Sequence, residues 1–292
     1  MSKDMRFAEF SYANPNDPLW KRWFIRFIET VSGRERMADL YEYWRDEIFG
    51  KSDSVFTEML KLIQVDLQAG GAWPPRQLAD TPLVMIANHP YGIGDGIAVL
   101  SLAERLNRPF RVVINNDLLK VPEIRPYSLP ISFDETKEAV ALNLKTRQEA
   151  VRLLKEGVTI VIFPAGGVAT APKGIGRAQD LPWKMFTARL VQAAHASVLP
   201  VYFEGQNSRL FHMVSHVSLT LRLSLLVREF QRLAGKQIKA WVGDPISWSE
   251  LQKIDDRKVL LQHLQDAVFS LDPKRKAHKP AVLAKELTTG CA

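Results

Sequence analysis

The segment Asn88-His89-Pro90-Tyr91-Gly92-Ile93-Gly94-Asp95-Gly96 sets a histidine and a carboxylate either side of five residues, two of them glycines. An imidazole aimed into a crevice can take a proton at Nε2, and a carboxylate on Nδ1–H then fixes its tautomer and stabilises the imidazolium. Such a pair activates a hydroxyl or amine acceptor without a protein nucleophile. The same residues have a plainer reading: Asp95 is a good N-cap for a helix opening at residue 96, and Asn88 and His89 fit an ordinary loop.

Two further segments could join His89. Phe163-Pro164-Ala165-Gly166-Gly167-Val168 and Val198-Leu199-Pro200-Val201-Tyr202-Phe203-Glu204-Gly205-Gln206-Asn207-Ser208 each run from apolar residues into small or polar ones. Exposed amides at Gly166 and Gly167 could donate to an oxyanion, or the stretch is a simple βα turn. Lys173, Arg177 and Arg209 follow these segments and are candidates for an acidic headgroup or a donor phosphate, with a solvated role as the alternative. His212 and His216 share a helical spacing without a nearby carboxylate, so no metal site is expected, and His195 reads as structural. The sequence has no G-x-S-x-G, no G-x-x-x-x-G-K-[ST], no H-E-x-x-H and no complete G-x-G-x-x-G.

The elements that must hold these residues are legible as period and composition. Leu83–Ala87, Phe110–Ile114, Val158–Phe163, Val198–Phe203 and Ile238–Val242 are short Val/Ile-rich runs bounded by Gly, Pro or Asn, as buried strands are. Helical patterns at 96–106, 136–155 and 181–196 lie between them. The alternation predicts an α/β fold, a mainly parallel central sheet flanked by helices, with sites beyond the carboxyl ends of strands. Helical stretches at 37–49 and 53–68 precede a Gly/Pro-rich linker. Ser247-x-x-Glu250 matches a capping box opening a last helix at 251–271. The predicted organisation is an N-terminal helical, membrane-associating region at 1–70, an α/β domain at 71–271 and a basic flexible tail at 272–292.

With 292 residues, 46% hydrophobic and 24% charged, the chain can bury a real core, which excludes global disorder. The sole cysteine, Cys291, excludes an intrachain disulfide, and no apolar run reaches the roughly 18 residues a membrane span needs. A cytoplasmic protein, peripheral on the inner face of the membrane, is expected. The charge of +7 favours an anionic partner. Residues Trp20, Trp23, Phe24, Phe27, Ile28 and Val31 form one helical stripe flanked by Lys21, Arg22 and Arg26, which suits either a bilayer headgroup plane or the domain's own core. Met213–Val227 is a core or interfacial segment. Nucleic acid is not expected, because aromatic and basic residues do not interleave as a stacking platform.

Taken in order, the three site segments resemble the glycerolipid acyltransferase superfamily of the lysophosphatidic-acid acyltransferase type, whose motifs are His-x4-Asp, Phe-Pro-Glu-Gly and a Val-Pro-Val-like strand. They look closest to its hemolysin-like, ornithine-lipid branch, similarly marked by Asn-His-Pro, Phe-Pro-Ala-Gly and Gly-x-Asn-Ser. The resemblance spans about residues 80–247 and implies His89 as general base with Asp95 as its orienting partner. It also implies substrate contacts from Asn88, Gly92, Gly94, Pro164, Gly166, Gly167, Lys173, Arg177, Asn207 and Arg209, and no cofactor. The donor would be an acyl thioester of coenzyme A or acyl carrier protein, and the acceptor a lysolipid at the membrane surface. Two departures stand out: five residues rather than four separate His89 from Asp95, and Ala165 and Gly167 leave the third motif without a carboxylate. The second points to an acceptor other than a glycerophosphate. The rival class is a non-enzymatic peripheral protein binding anionic lipid through basic segments.

Overall fold

The structure is a computed structural model that describes residues 34–75, 82–215 and 219–277. Seven strands, β1 (Asp66–Gly71), β2 (Leu83–Ala87), β3 (Phe110–Asn115), β4 (Ser128–Ile131), β5 (Thr159–Ile162), β6 (Ser197–Glu204) and β7 (Gln237–Val242), form one sheet in the order β1-β7-β6-β2-β5-β3-β4. Every pairing is parallel except β6 with β7. The helices are α1 (Arg34–Tyr43), α2 (Val55–Leu62), α3 (Ile93–Glu104), α4 (Lys137–Lys155), α5 (Phe186–Ala194), α6 (Arg209–Ser215), α7 (Leu219–Gln231), α8 (Trp248–Leu251), α9 (Arg257–Phe269) and α10 (Pro273–Ala277).

The central strand explains the layering. β2 is buried along its whole length, and its alternation sends Leu83, Met85 and Ala87 to one face and Val84 and Ile86 to the other. The first face packs Phe56 and Leu60 of α2, Ala98 and Leu102 of α3 and Phe230 of α7. The second packs Ala150 and Leu154 of α4, Leu190 of α5 and Leu260 and Leu264 of α9. This is the α/β fold expected from the sequence.

Several boundaries differ from expectation. The predicted divide at residue 70 falls inside β1, which pairs with β7, and Glu104 at the end of α3 accepts the Phe56 and Thr57 N–H groups opening α2 at 2.7 and 3.0 Å. Residues 55–71 therefore belong to the same core as the α/β domain. β1 reads Asp-Leu-Gln-Ala-Gly-Gly and stays half exposed at the sheet edge, so no apolar run betrays it. β4, Ser-Leu-Pro-Ile, carries a proline that only an edge strand tolerates. The last predicted helix is two: Glu250 accepts the Ser247 N–H at 3.0 Å, the first helix stops at Leu251, and Asp256 caps a second by accepting from Lys258 and Val259 N–H. Residues 273–277, assigned to a flexible tail, are helical. The Trp20–Val31 stripe lies outside the described residues. Among the described residues, no helix is long and apolar enough to cross a membrane.

Candidate active site

Because β6, β2 and β5 are consecutive and parallel, the three segments singled out in the sequence leave the sheet side by side at its carboxyl edge. β2 delivers Asn88 and His89, β5 delivers Phe163–Val168, and β6 delivers Glu204–Ser208.

His89 is fixed from several directions. Its N–H donates to Asp180 Oδ1 at 3.2 Å, its C=O accepts from Ala169 N–H at 2.7 Å, and its ring stacks on Phe163 with centroids 4.0 Å apart. Its Nδ1 lies 2.9 Å from Asp95 Oδ1, and the Asp95 side chain has no exposure at all. Helix α3 starts at Ile93 rather than at 96, so Asp95 sits within its first turn and does not cap it. The other carboxylate oxygen, Oδ2, accepts the Tyr91 N–H at 2.7 Å. With Oδ2 on a backbone amide, Oδ1 is the carboxylate oxygen left to face the imidazole. A proton carried on Nδ1 would leave the lone pair on Nε2, which has no partner among the described residues.

The turn between the two residues depends on Gly92, whose φ of +82° is left-handed and whose missing Cβ would stand 2.9 Å from Leu226 Cδ2. Gly166 has a φ of +68° and carries the Phe133 ring where a Cβ would be, 2.6 Å away. Burial pushes the Tyr91 phenol up to about 12, so it remains a donor, to Glu204 C=O at 3.0 Å.

A cavity of about 620 Å³ is lined by the chain neighbours of His89, Asn88 and Pro90, together with Arg177, Tyr202, Glu204 and Asp272. A smaller recess of about 270 Å³ lies beyond Phe163, bounded by Pro164, Gly166, Phe133 and Lys184. At the larger cavity Arg177 pairs with Asp272 and donates to the Tyr202 hydroxyl at 3.3 Å. Lys274 Nζ lies 2.8 Å from Glu204, whose carboxyl it holds below the usual range.

Several residues expected to touch substrate also have a place in holding the fold. The Asn88 side chain donates to Phe203 C=O at 2.9 Å and accepts Phe203 N–H at 2.6 Å, clamping β2 to β6. Replacing it by leucine leaves both backbone groups unpaired and is expected to lower stability by about 2–4 kcal/mol, read as a shifted urea midpoint. Asn207 is buried and donates to Tyr91 C=O at 3.4 Å. Gly94 admits Leu233 and Gly167 admits Leu181, both as packing. The Gly166 N–H is spent on Phe163 C=O at 2.9 Å, while the Gly167 N–H has no acceptor among the described residues. Lys173 and Arg209 are exposed and line neither recess. His212 is buried and accepts from Ala171 N–H at 3.4 Å, and His216 lies outside the described residues.

Asp180, Glu204, Asp272 and Lys274 were not anticipated. Burial pushes the Asp180 carboxyl upward, against hydrogen bonds from Trp183 Nε1 and the His89 N–H. The third motif has no carboxylate, but the cavity does, where Glu204 and Asp272 arrive from β6 and the C-terminal segment.

A family model described as Acyltransferase matches residues 76–273. The chain is 25% identical to a lyso-glycine lipid O-acyltransferase of Phocaeicola vulgatus, over 64% of this chain and 67% of that protein. It is also 25% identical to a lyso-glycine lipid O-acyltransferase of Bacteroides thetaiotaomicron, over 64% of this chain and 68% of that one. Among solved structures, the 1-acyl-sn-glycerophosphate acyltransferase PlsC of Thermotoga maritima shares the fold with a TM-score of 0.50 at 17% identity, covering 88% of this chain and 89% of that one.

Proposed function

The chain belongs to the acyltransferase family, and from that premise we propose that it moves a fatty acyl group from an acyl thioester to the hydroxyl of a lysolipid, with His89 as general base. The observation that carries this reading is the 2.9 Å approach of His89 Nδ1 to a fully buried Asp95 at the end of the central strand. Membership of an enzyme family also removes the rival reading of a mere lipid-binding module.

In the proposed reaction His89 Nε2 takes the acceptor's hydroxyl proton as the oxygen attacks the thioester carbonyl. Asp95 stabilises the imidazolium, and the Gly167 N–H is the backbone donor left in that turn for the oxyanion. Collapse breaks the carbon–sulfur bond, and the departing thiolate recovers the proton from His89. The products are an ester and a free thiol, of coenzyme A or acyl carrier protein, with no acyl-enzyme intermediate and no cofactor. The setting would be the inner face of the membrane.

For the acceptor we favour a lysolipid whose headgroup is an amino acid joined through an amide, of glycine or ornithine type. The lining of the larger cavity carries Arg177, Lys274 and Arg275 against Asp180, Glu204 and Asp272, three charges of each sign. A phosphate monoester with up to two negative charges needs unmatched cations close by. Matched charges suit a headgroup that is zwitterionic or singly charged, and the two relatives named for lyso-glycine lipid agree in kind. Purified protein given one acyl thioester and a panel of lyso-glycine lipid, lyso-ornithine lipid and lysophosphatidate should release thiol fastest with an amino-acid lipid. Preference for lysophosphatidate would overturn the acceptor assignment, and no thiol release with any acceptor would overturn the activity.

A further inference from the structure

We propose that the loop at residues 171–178 and helix α6 together form a contact surface for an anionic lipid bilayer, beside the active site. Ile175, Leu210 and Met213 are 64%, 42% and 57% exposed, and they lie on two segments that touch each other. The two segments that carry them are stitched together: Gln206 accepts the Ala178 N–H at 2.8 Å and donates to Gly176 C=O at 3.0 Å, while Ala171 N–H meets His212. The two segments that bear the apolar side chains are thus braced against each other, at the carboxyl edge of the sheet.

Charge selects the partner. Residues 171–178 and 205–215 contain Lys173, Arg177 and Arg209 and no Asp or Glu, and since Arg177 is paired with Asp272 the cations left for a partner are Lys173 and Arg209. Lys173 and Arg209 line neither recess, and both are exposed. Exposed apolar side chains beside exposed cations are the composition that settles into an anionic headgroup layer. A second exposed apolar group, Phe133, Val140 and Leu144, provides the contrast. Residues 132–147 around it hold Asp134, Glu135 and Glu138 against Lys137, Lys145 and Arg147, so no field draws it to anionic lipid. Bound through the first surface, the protein would turn the edge bearing His89 toward the bilayer, where a lysolipid lies; that consequence rests on the function proposed above, whereas the binding does not.

The test is flotation of the full chain, without substrates, on vesicles of phosphatidylcholine containing roughly a third phosphatidylglycerol. Ile175→Ser, Leu210→Ser and Met213→Ser combined should lower partitioning about tenfold or more, and Lys173→Gln with Arg209→Gln by about fivefold per cation removed. Val140→Ser with Leu144→Ser should float as the parent does. As a second readout, Leu210→Cys in a Cys291→Ser background, labelled with an environment-sensitive dye, should shift to the blue on vesicles, and Val140→Cys should not. Equal flotation of the apolar triple variant and the parent, or a dye at position 210 indifferent to vesicles, overturns the proposal. Because no acyl transfer is measured, a catalytically inactive protein that binds in this way would contradict only the proposed function.

Discussion

Replacing His89 by alanine is expected to lower acyl transfer by about 10²–10⁴-fold, the usual contribution of a positioned general base. That range corresponds to about 2.7–5.5 kcal/mol of transition-state stabilisation. The fold should survive. The backbone bonds of residue 89 to Asp180 and Ala169 do not need the imidazole, and what the ring itself supplies is its stacking on Phe163 and its place beside Asp95. The loss should fall on kcat, since in the proposed reaction the imidazole would meet the reacting hydroxyl while the cavity that would hold the headgroup is lined by other residues. The measurement is thiol release at saturating acceptor together with a thermal melt. A variant that folds and keeps near-normal turnover would remove His89 from the chemistry.

The residues that carry this prediction were visible in the sequence because their cause is local. Leu83–Ala87 is an uninterrupted apolar run, which a strand buried on both faces requires, and a histidine at its end followed by Pro and Gly signals a turn at the sheet edge. What supports His89 from a distance left no such trace. Asp180 comes from a loop after β5 and reaches the His89 N–H only through the fold. Asp272 and Lys274 looked like the start of a charged tail, yet they cross to Arg177 and Glu204 at the cavity. Asn88 shows a role that the sequence did not reveal. The resemblance implied a contact with substrate, and the structure adds that its side chain satisfies the backbone of a neighbouring strand, because a buried backbone must be paired. Edge strands β1 and β4 were missed for a related reason: half of each faces outward, so neither carries the continuous apolar run of a buried strand.

Asp95→Asn should cost nearly as much turnover as the loss of His89 itself, although it removes no atom from the packing. The asparagine oxygen would take over the Tyr91 N–H that Asp95 Oδ2 now accepts at 2.7 Å. Its NH₂ would then face His89 Nδ1 and donate to it, driving the ring proton to Nε2, where the base needs a lone pair. A comparable tautomer inversion in a Ser-His-Asp triad costs about 10⁴-fold. A capping role predicts the reverse, because asparagine caps as well as aspartate does and activity would be kept. In the proposed reaction Asp95 serves the chemistry through His89, so combining Asp95→Asn with His89→Ala should lower turnover no further than His89→Ala alone. Losses that multiply in the double variant would mean that the carboxylate serves the reaction by some route other than the imidazole 2.9 Å away.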